Sequence, residues 1–180
     1  MKSAAIILAA GESSRMGSPK ALLDAGGETF LQRLTRIFRE AGCEVIVVSG
    51  AHPLAGSVEN PDWRSGQLSS VRRGLAATDA ERVLVHPVDV PLVTPDTVRR
   101  VLERLGSAEA VVPTWRGTRG HPLGLTAQAV RKVQAWNDLP HLEGALLRLA
   151  AVELAVVDPG VVRSANTPAE YQALFGRPPG

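Results

Sequence analysis

Short apolar segments recur along the chain and are separated by stretches in which apolar residues fall at helical spacing. The segments are nearly continuous runs rich in Val, Ile and Ala, at 4–10, 44–50, 82–88, 109–114 and 152–158. Uninterrupted apolar runs of this length are typical of strands that are buried on both faces, as in parallel sheets. We therefore predict five mostly buried strands.

The intervening stretches predict helices. Apolar residues keep helical spacing over 30–41, between Thr29 as a capping residue and Gly42 as a stop. A second helix is predicted over 97–105, entered through the dipeptide Thr94-Pro95. Alternating strands and helices form right-handed βαβ units, so the prediction is one three-layer α/β domain over residues 1–180, with a doubly wound, mostly parallel, Rossmann-like sheet. Ligands are then expected at the carboxyl ends of the strands.

Composition narrows the possible partners. The chain has 180 residues, 44% of them hydrophobic, a formal net charge of +2 and only 4% aromatic residues. It has no basic tract interleaved with aromatics, so no nucleic-acid partner is expected. Its apolar runs are far shorter than the roughly 20 residues needed to span a bilayer, which argues against a membrane partner. The single Cys43 cannot form an internal disulfide, and a cytoplasmic enzyme fits best.

The loop after the first strand has the composition of an anion-binding loop. It reads LAAGESSRMGSPK over 8–20, and its spacing fits neither the P-loop nor the dinucleotide fingerprint. Gly11 and Gly17 nevertheless allow backbone amides to approach a ligand, and Arg15 and Lys20 supply two cations. The alternative from composition alone is a solvated strand-to-helix loop without a ligand.

The same loop carries a resemblance to a known family. LAAG-x-S-x-RMG-x-PK resembles the signature of nucleotidyltransferases with a glycosyltransferase-A-like fold, and most of all the molybdenum cofactor cytidylyltransferases. Further motifs of that group follow in the same order, at 60–75 (NPDWRSGQLSSVRRGL), 88–91 (VDVP), 119–123 (RGHPL) and 166–171 (NTPAEY). The resemblance implies catalytic phosphate contacts from Arg15 and Lys20. It also implies nucleotide contacts from Leu8, Ala9, Ala10, Gly11, Asn60, Gly66 and Ser69.

Two residues near strand ends are candidate metal ligands. By themselves, Asp89 resembles a helix-entry cap, and Asn166 resembles a cap of the last helix. The family resemblance implies instead that both hold Mg²⁺ against the nucleotide phosphates. Mg²⁺ keeps waters and phosphate oxygens for its remaining positions, so one carboxylate and one amide oxygen are chemically adequate. Many relatives of the cytidylyltransferase type carry an acidic residue where this chain has Asn166.

The histidines differ in what the motifs imply for them. His121 lies in a matched motif and is predicted to contact the acceptor, although it could also donate to a phosphate or brace a tight turn. His52, His86 and His141 show no metal-ligand spacing and receive no role. Trp63 is interpreted as a plug beneath its loop, with a stacking surface as the alternative.

The activity implied by the resemblance is transfer of a nucleotidyl group to a phosphorylated acceptor, with release of pyrophosphate. Ala10 in LAAG favours CTP, since related guanylyltransferases have LAGG, and a molybdopterin-type acceptor is favoured. The alternatives are a guanylyltransferase of the same cofactor, or a sister enzyme acting on a sugar phosphate, an isoprenoid precursor or another cofactor. A nucleotide-binding module without turnover is the alternative from a different class.

Overall fold

The computed structural model describes residues 1–14, 16–136 and 142–179. Within them, eight strands form one sheet, and six α-helices flank it, which confirms the predicted α/β class. The strands are β1 (Ser3–Ala9), β2 (Glu44–Ser49), β3 (Val58–Glu59), β4 (Arg82–Pro87), β5 (Ala110–Trp115), β6 (Thr118–Arg119), β7 (Leu123–Thr126) and β8 (Val152–Ala155). The helices are α1 (Phe30–Glu40), α2 (Gln67–Leu75), α3 (Pro95–Arg104), α4 (Ala127–Ala135), α5 (Leu142–Arg148) and α6 (Pro168–Phe175).

The sheet has a parallel half and a mixed half. Its order is β3-β2-β1-β4-β7-β5-β6, and β8 pairs with β5. β1 pairs in parallel with both β2 and β4, whereas β7 is antiparallel to β4 and β5. All five strands predicted from the sequence are present. In the parallel trio β2-β1-β4, the loops that follow the three strands lie at one edge of the sheet.

The core has two layers because the side chains of β1 alternate between the faces of the sheet. Ala5 and Ile7 pack with α1 and α3 on one face. Ala4, Ile6 and Leu8 pack with α2, α4 and α5 on the other. Burial on both faces explains why the sequence of this strand is apolar at consecutive positions.

The strand β8 departs from the prediction of a mostly buried strand. Its burial alternates between half-buried and exposed positions, and Val157 just beyond it is 90% exposed. β8 pairs with β5 in the described part of the sheet. A strand at an edge of a sheet does not need an apolar residue at every position. The apolar run over 152–158 therefore predicted more burial than β8 has.

The capping residues predicted for α1 and α3 are present. The Thr29 side chain accepts a hydrogen bond from the Gln32 amide, and the Gln32 side chain accepts one in return from the Thr29 amide. The Thr94 side chain accepts from the Thr97 amide at the start of α3. Gly42 has φ of +83°, as expected for a residue that ends a helix. Among the helices described, none is both long and apolar enough to cross a membrane.

Candidate active site

A cleft of about 390 Å³ opens at the carboxyl ends of β1, β2 and β4. These strands are parallel neighbours, so the loops that follow them meet at one edge, where ligands bind in open α/β sheets. Its volume is in the range of small-ligand sites. The lining includes four residues predicted to contact the nucleotide, namely Leu8, Ala9, Ala10 and Gly11.

The loop after β2 holds the first part of the loop after β1. The Ala51 amide donates a hydrogen bond to the Ala10 carbonyl at 3.1 Å, and His52 Nε2 lies 2.9 Å from the Glu12 carbonyl. Gly50 permits this approach, because a Cβ there would lie 2.7 Å from the Ala10 oxygen. His52 also lines the cleft, although the sequence analysis assigned it no role.

The second part of the same loop folds back on itself. Ser13 has φ of +54°, its carbonyl accepts from the Met16 amide at 2.9 Å, and its hydroxyl accepts from the Lys20 amide at 3.1 Å. The Met16 side chain is buried in the core and anchors the loop. Arg15 lies outside the described residues, so its phosphate contact stays a prediction.

Three predicted side chains meet at the floor of the cleft. The Lys20 ammonium lies 2.9 Å from Asp89 Oδ2 and 2.5 Å from Asn166 Oδ1. The Lys20 and Asp89 side chains are only 17% and 19% exposed. Two oxygen atoms from distant parts of the sequence are therefore arranged around one positive charge in a largely desolvated place.

Backbone hydrogen bonds fix the two oxygen-bearing residues relative to each other. The Ala165 amide donates to the Asp89 carbonyl at 2.8 Å, which ties the segment before α6 to the turn after β4. Asn166 Nδ2 donates to Ser164 Oγ at 3.1 Å. Since the amide nitrogen is used there, the Asn166 carbonyl oxygen points toward Lys20.

These oxygen atoms fit a divalent metal of the magnesium type. One carboxylate and one amide oxygen are hard donors, and both already contact a cation. In the part of the chain that the structure describes, no group of three or more His, Cys, Asp or Glu side chains could hold a metal ion. A metal at Asp89 and Asn166 would thus complete its coordination with substrate oxygens and water.

The segment over 60–75 positions the cleft wall through internal hydrogen bonds. The buried Asn60 side chain donates to the hydroxyls of Ser69 and Ser70, both at 2.9 Å. Ser69 also contacts the carbonyls of Asp62 and Gly66, at 3.1 and 2.8 Å. The structure thus places Asn60 and Ser69 in a brace of the loop, and their predicted contact with the nucleotide stays a prediction.

Other side chains of this segment face the cleft. Trp63, Gln67 and Ser70 line it, so Trp63 is half-buried at the wall and not a plug fully beneath the loop. Gly66 has φ of +106° directly before α2, a backbone conformation that favours glycine. Its predicted nucleotide contact also stays a prediction.

A second, more open hollow of about 350 Å³ adjoins the first cleft and shares Asp89 and Asn166 with it. His121 lines it, as does Gln67, which also lines the first cleft. Gly120 lets the His121 turn approach the segment over 159–162, because a Cβ on Gly120 would lie 2.3 Å from the Val161 oxygen. The predicted acceptor residue and the two candidate metal ligands therefore share one hollow.

His121 lines this hollow and is half-buried, and the ring of the fully buried His86 lies against it. Burial lowers the pKa of His121 to about 4, although the nearby Asp89 carboxylate acts in the opposite direction. Burial lowers the pKa of His86 to about 3. Their ring centroids are 6.0 Å apart in an edge arrangement. Both rings are therefore neutral near pH 7, and the hollow gains no positive charge from them.

No motif pointed to His52 or His86, because the partner of His52 is distant along the chain and His86 itself lies in the buried core. His52 contacts the carbonyl of a residue 40 positions away. The usable signal for His52 was its place directly after β2, at the sheet edge where ligands bind. His86 carried no such signal.

Solved structures share this fold over almost the whole chain. The crystal structure of Rv0371c from Mycobacterium tuberculosis H37Rv is 26% identical, with a TM-score of 0.81, and the match covers 98% of each chain. A manganese complex of the same protein is 25% identical, with a TM-score of 0.77, and covers 98% of this chain and 99% of the other.

Curated relatives include both guanylyl and cytidylyl enzymes. A molybdenum cofactor guanylyltransferase of Xanthomonas euvesicatoria pv. vesicatoria is 36% identical over 98 residues, which span 54% of this chain and 52% of that protein. The chain thus spans about half the length of that relative. The molybdenum cofactor cytidylyltransferase of Escherichia coli K12 is 25% identical over 177 residues, or 92% of each chain.

The family profile of the MobA-like NTP transferase domain matches residues 5–156. That range contains the signature loop, the metal-ligand candidate Asp89 and the His121 turn. Asn166 and α6 lie beyond it. The chain therefore belongs to the family of MobA-like NTP transferase domains, as its motifs predicted.

Proposed function

We propose that this protein transfers a nucleotidyl group from a nucleoside triphosphate to a phosphorylated acceptor and releases pyrophosphate. The observation that carries the proposal is the meeting of Lys20, Asp89 and Asn166, the last two of which line both adjoining hollows. A transferase needs two substrate compartments on either side of the reacting atoms, whereas a nucleotide-binding module needs one. Four residues line both hollows, namely Gln67, Pro87, Asp89 and Asn166.

The reaction requires positioning and charge neutralisation more than covalent help. An oxygen of the acceptor phosphate attacks the α-phosphorus, and the bond from that phosphorus to the β-phosphate oxygen breaks. When bound at Asp89 and Asn166, Mg²⁺ or Mn²⁺ would supply positive charge to the phosphate oxygens. Support for a divalent metal comes from the oxygen donors themselves and from the manganese complex of the Mycobacterium tuberculosis relative.

Lys20 is the residue of this chain suited to neutralise the departing charge. Its backbone is fixed by Ser13, and only its flexible side chain reaches the two oxygens. A phosphate group that entered the cleft would offer the ammonium a stronger, doubly charged partner. Lys20 would then leave Asp89 and Asn166 free for the metal and bind the phosphates.

The first hollow suits a nucleotide whose phosphates lie at Lys20. The rest of the molecule would extend toward Ala10, His52 and Trp63, which line the same cleft. We favour CTP because of Ala10, and GTP is the alternative, since named relatives include both kinds of enzyme. A molybdopterin-type acceptor is supported by the names of those relatives. The second hollow, with His121, would receive it.

The test is pyrophosphate release with CTP, GTP, ATP and UTP, with and without molybdenum cofactor, in Mg²⁺ or Mn²⁺. We expect release that depends on both acceptor and metal, with CTP preferred. Turnover with GTP alone would contradict the base assignment but keep the transferase. Turnover only with a sugar phosphate or an isoprenoid phosphate would replace the acceptor. Nucleotide binding without turnover under any combination would overturn the enzyme proposal.

A further inference from the structure

His86 is a polar side chain placed in the interior of the sheet. It lies in β4, is 0% exposed, and has the aromatic ring of Phe38 on one side at 5.2 Å between centroids. The ring of His121 lies on the other side. Leu84, two positions earlier in the strand, is apolar and belongs to the same core layer as Phe38. A histidine at such a position requires a polar partner.

That partner belongs to the turn that carries Asp89. His86 Nε2 lies 2.8 Å from the Val90 carbonyl oxygen, so Nε2 carries the proton and donates. The turn is also closed by the Val90 amide, which donates to the Pro87 carbonyl at 3.3 Å. Asp89 stands inside this turn, between the two residues whose backbone groups are held.

We propose that His86 is a positioning residue, which holds the Val90 carbonyl so that Asp89 presents Oδ2 to the metal. This inference rests on the proposed function, since it assumes that Asp89 is a metal ligand. Val90 is only 4% exposed, so its carbonyl has little access to water if the imidazole is removed. An unpaired buried carbonyl favours rotation of the turn toward another donor. Asp89 would move with it.

The geometry distinguishes a positioning role from simple filling of space. The ring nitrogen nearer to the backbone, Nδ1, has no hydrogen-bond partner among the described residues. Only the outer nitrogen is used, and it is used on the Asp89 turn. A side chain that filled the same volume without a donor would satisfy the packing against Phe38 but not the Val90 carbonyl.

Three substitutions at this position separate these roles. His86→Gln keeps an N–H donor at about the reach of Nε2. His86→Met has a similar length and volume but no donor. His86→Asn has a donor on a side chain too short to reach the Val90 oxygen. Phe38→Leu serves as the packing control, because it loosens the same core layer without touching the turn.

We would measure the affinity of each full-length variant for Mn²⁺ by electron paramagnetic resonance. The titrations contain CTP or GTP but no acceptor, so that no turnover occurs. Melting temperatures are recorded in parallel. We expect His86→Met and His86→Asn to bind Mn²⁺ about tenfold more weakly, as found when partners of metal ligands are removed. His86→Gln should stay within about twofold of the wild type, and Phe38→Leu should lose melting temperature but not affinity.

Two results would overturn the inference. One is unchanged Mn²⁺ affinity in folded His86→Met or, if that variant does not fold, in His86→Asn. The other is equal weakening in His86→Gln. Asp89→Asn distinguishes this failure from failure of the proposed function. If Asp89→Asn binds Mn²⁺ as tightly as the wild type does, the metal site itself is wrong. If Asp89→Asn loses Mn²⁺ affinity while His86→Met keeps it, only the role of His86 is refuted.

Discussion

Acidification should destabilise this protein through the imidazoles of His86 and His121. In the folded state, burial lowers the pKa of His86 to about 3 and that of His121 to about 4. In the unfolded chain, each imidazole returns to a pKa of about 6.5. The unfolded state therefore binds more protons at every pH between these limits. The free energy of unfolding is then highest above pH 6.5 and falls as the pH drops toward 4.

The size of the effect follows from the distance between the working pH and the unfolded pKa. At pH 5, each unfolded imidazole lies about 1.5 pH units below its pKa, which corresponds to about 2 kcal/mol per group. The folded groups remain almost fully neutral at that pH. Relative to pH 8, the pair should therefore remove about 4 kcal/mol from the free energy of unfolding, a large part of the stability of an ordinary domain.

The assay is urea unfolding from pH 8 to pH 5, followed by tryptophan fluorescence. This window lies above the pKa of carboxylates in the unfolded chain, which is about 4, and above that of Asp24 and Glu28 in the folded state, where ion pairs lower it further. We expect about two protons to be taken up per unfolding event near pH 5. His86→Gln and His121→Asn should each remove one of them. A flat wild-type profile over this window, or variants that keep the full slope, would refute the assignment of these rings as neutral and buried.

Three substitutions and one control extend the tests to the site and the backbone around it. Lys20→Ala should lower turnover by about 100-fold or more while the protein stays folded. It should also tighten Mn²⁺ binding to the free protein, because the ammonium no longer competes for the two oxygens. Turnover assays and paramagnetic titration check these effects, and weaker Mn²⁺ binding would contradict the second. Asn166→Asp adds a charged ligand and should tighten Mn²⁺ binding about tenfold, measured by calorimetry, with no change counting against Asn166 as a ligand. Gly120→Ala places a Cβ 2.3 Å from the Val161 oxygen and should lower the free energy of unfolding by about 3 kcal/mol. The control Gly11→Ala, whose Cβ meets nothing within 4 Å, should change that free energy little. Equal urea midpoints for the two variants would contradict the close approach at Gly120.

Most of the parallel half of the fold could be predicted from apolar runs and capping residues. The strands β3, β6 and β7 could not, because they have two to four residues and leave too little pattern. In β7, Gly124 breaks the run of large apolar residues. A Cβ there would lie 2.9 Å from the Val101 side chain of α3, so a distant helix determines the glycine. Local sequence cannot show such a cause.

The candidate site likewise has residues that local motifs indicate and residues that only contacts between segments explain. Lys20, Asp89 and Asn166 belong to motifs that are readable one by one, and the structure brings all three together. His52 acts on the Glu12 carbonyl, 40 positions away. His86 acts on the Val90 carbonyl inside the VDVP motif, but from a buried strand position that the motif does not include. Asn60 and Ser69 belong to a readable motif, yet their hydrogen bonds with each other depend on how the loop before α2 closes.

The contact between Lys20 and Asn166 joins residues 146 positions apart. Because synthesis proceeds from the amino terminus, the signature loop and the Asp89 turn leave the ribosome well before Asn166 has been added to the chain. A nascent chain that has already paired β1, β2 and β4 can hold the Lys20–Asp89 ion pair, yet it lacks Asn166, the second oxygen that contacts Lys20. Under the proposed function, chains interrupted during translation would thus carry the first cleft without its second metal ligand.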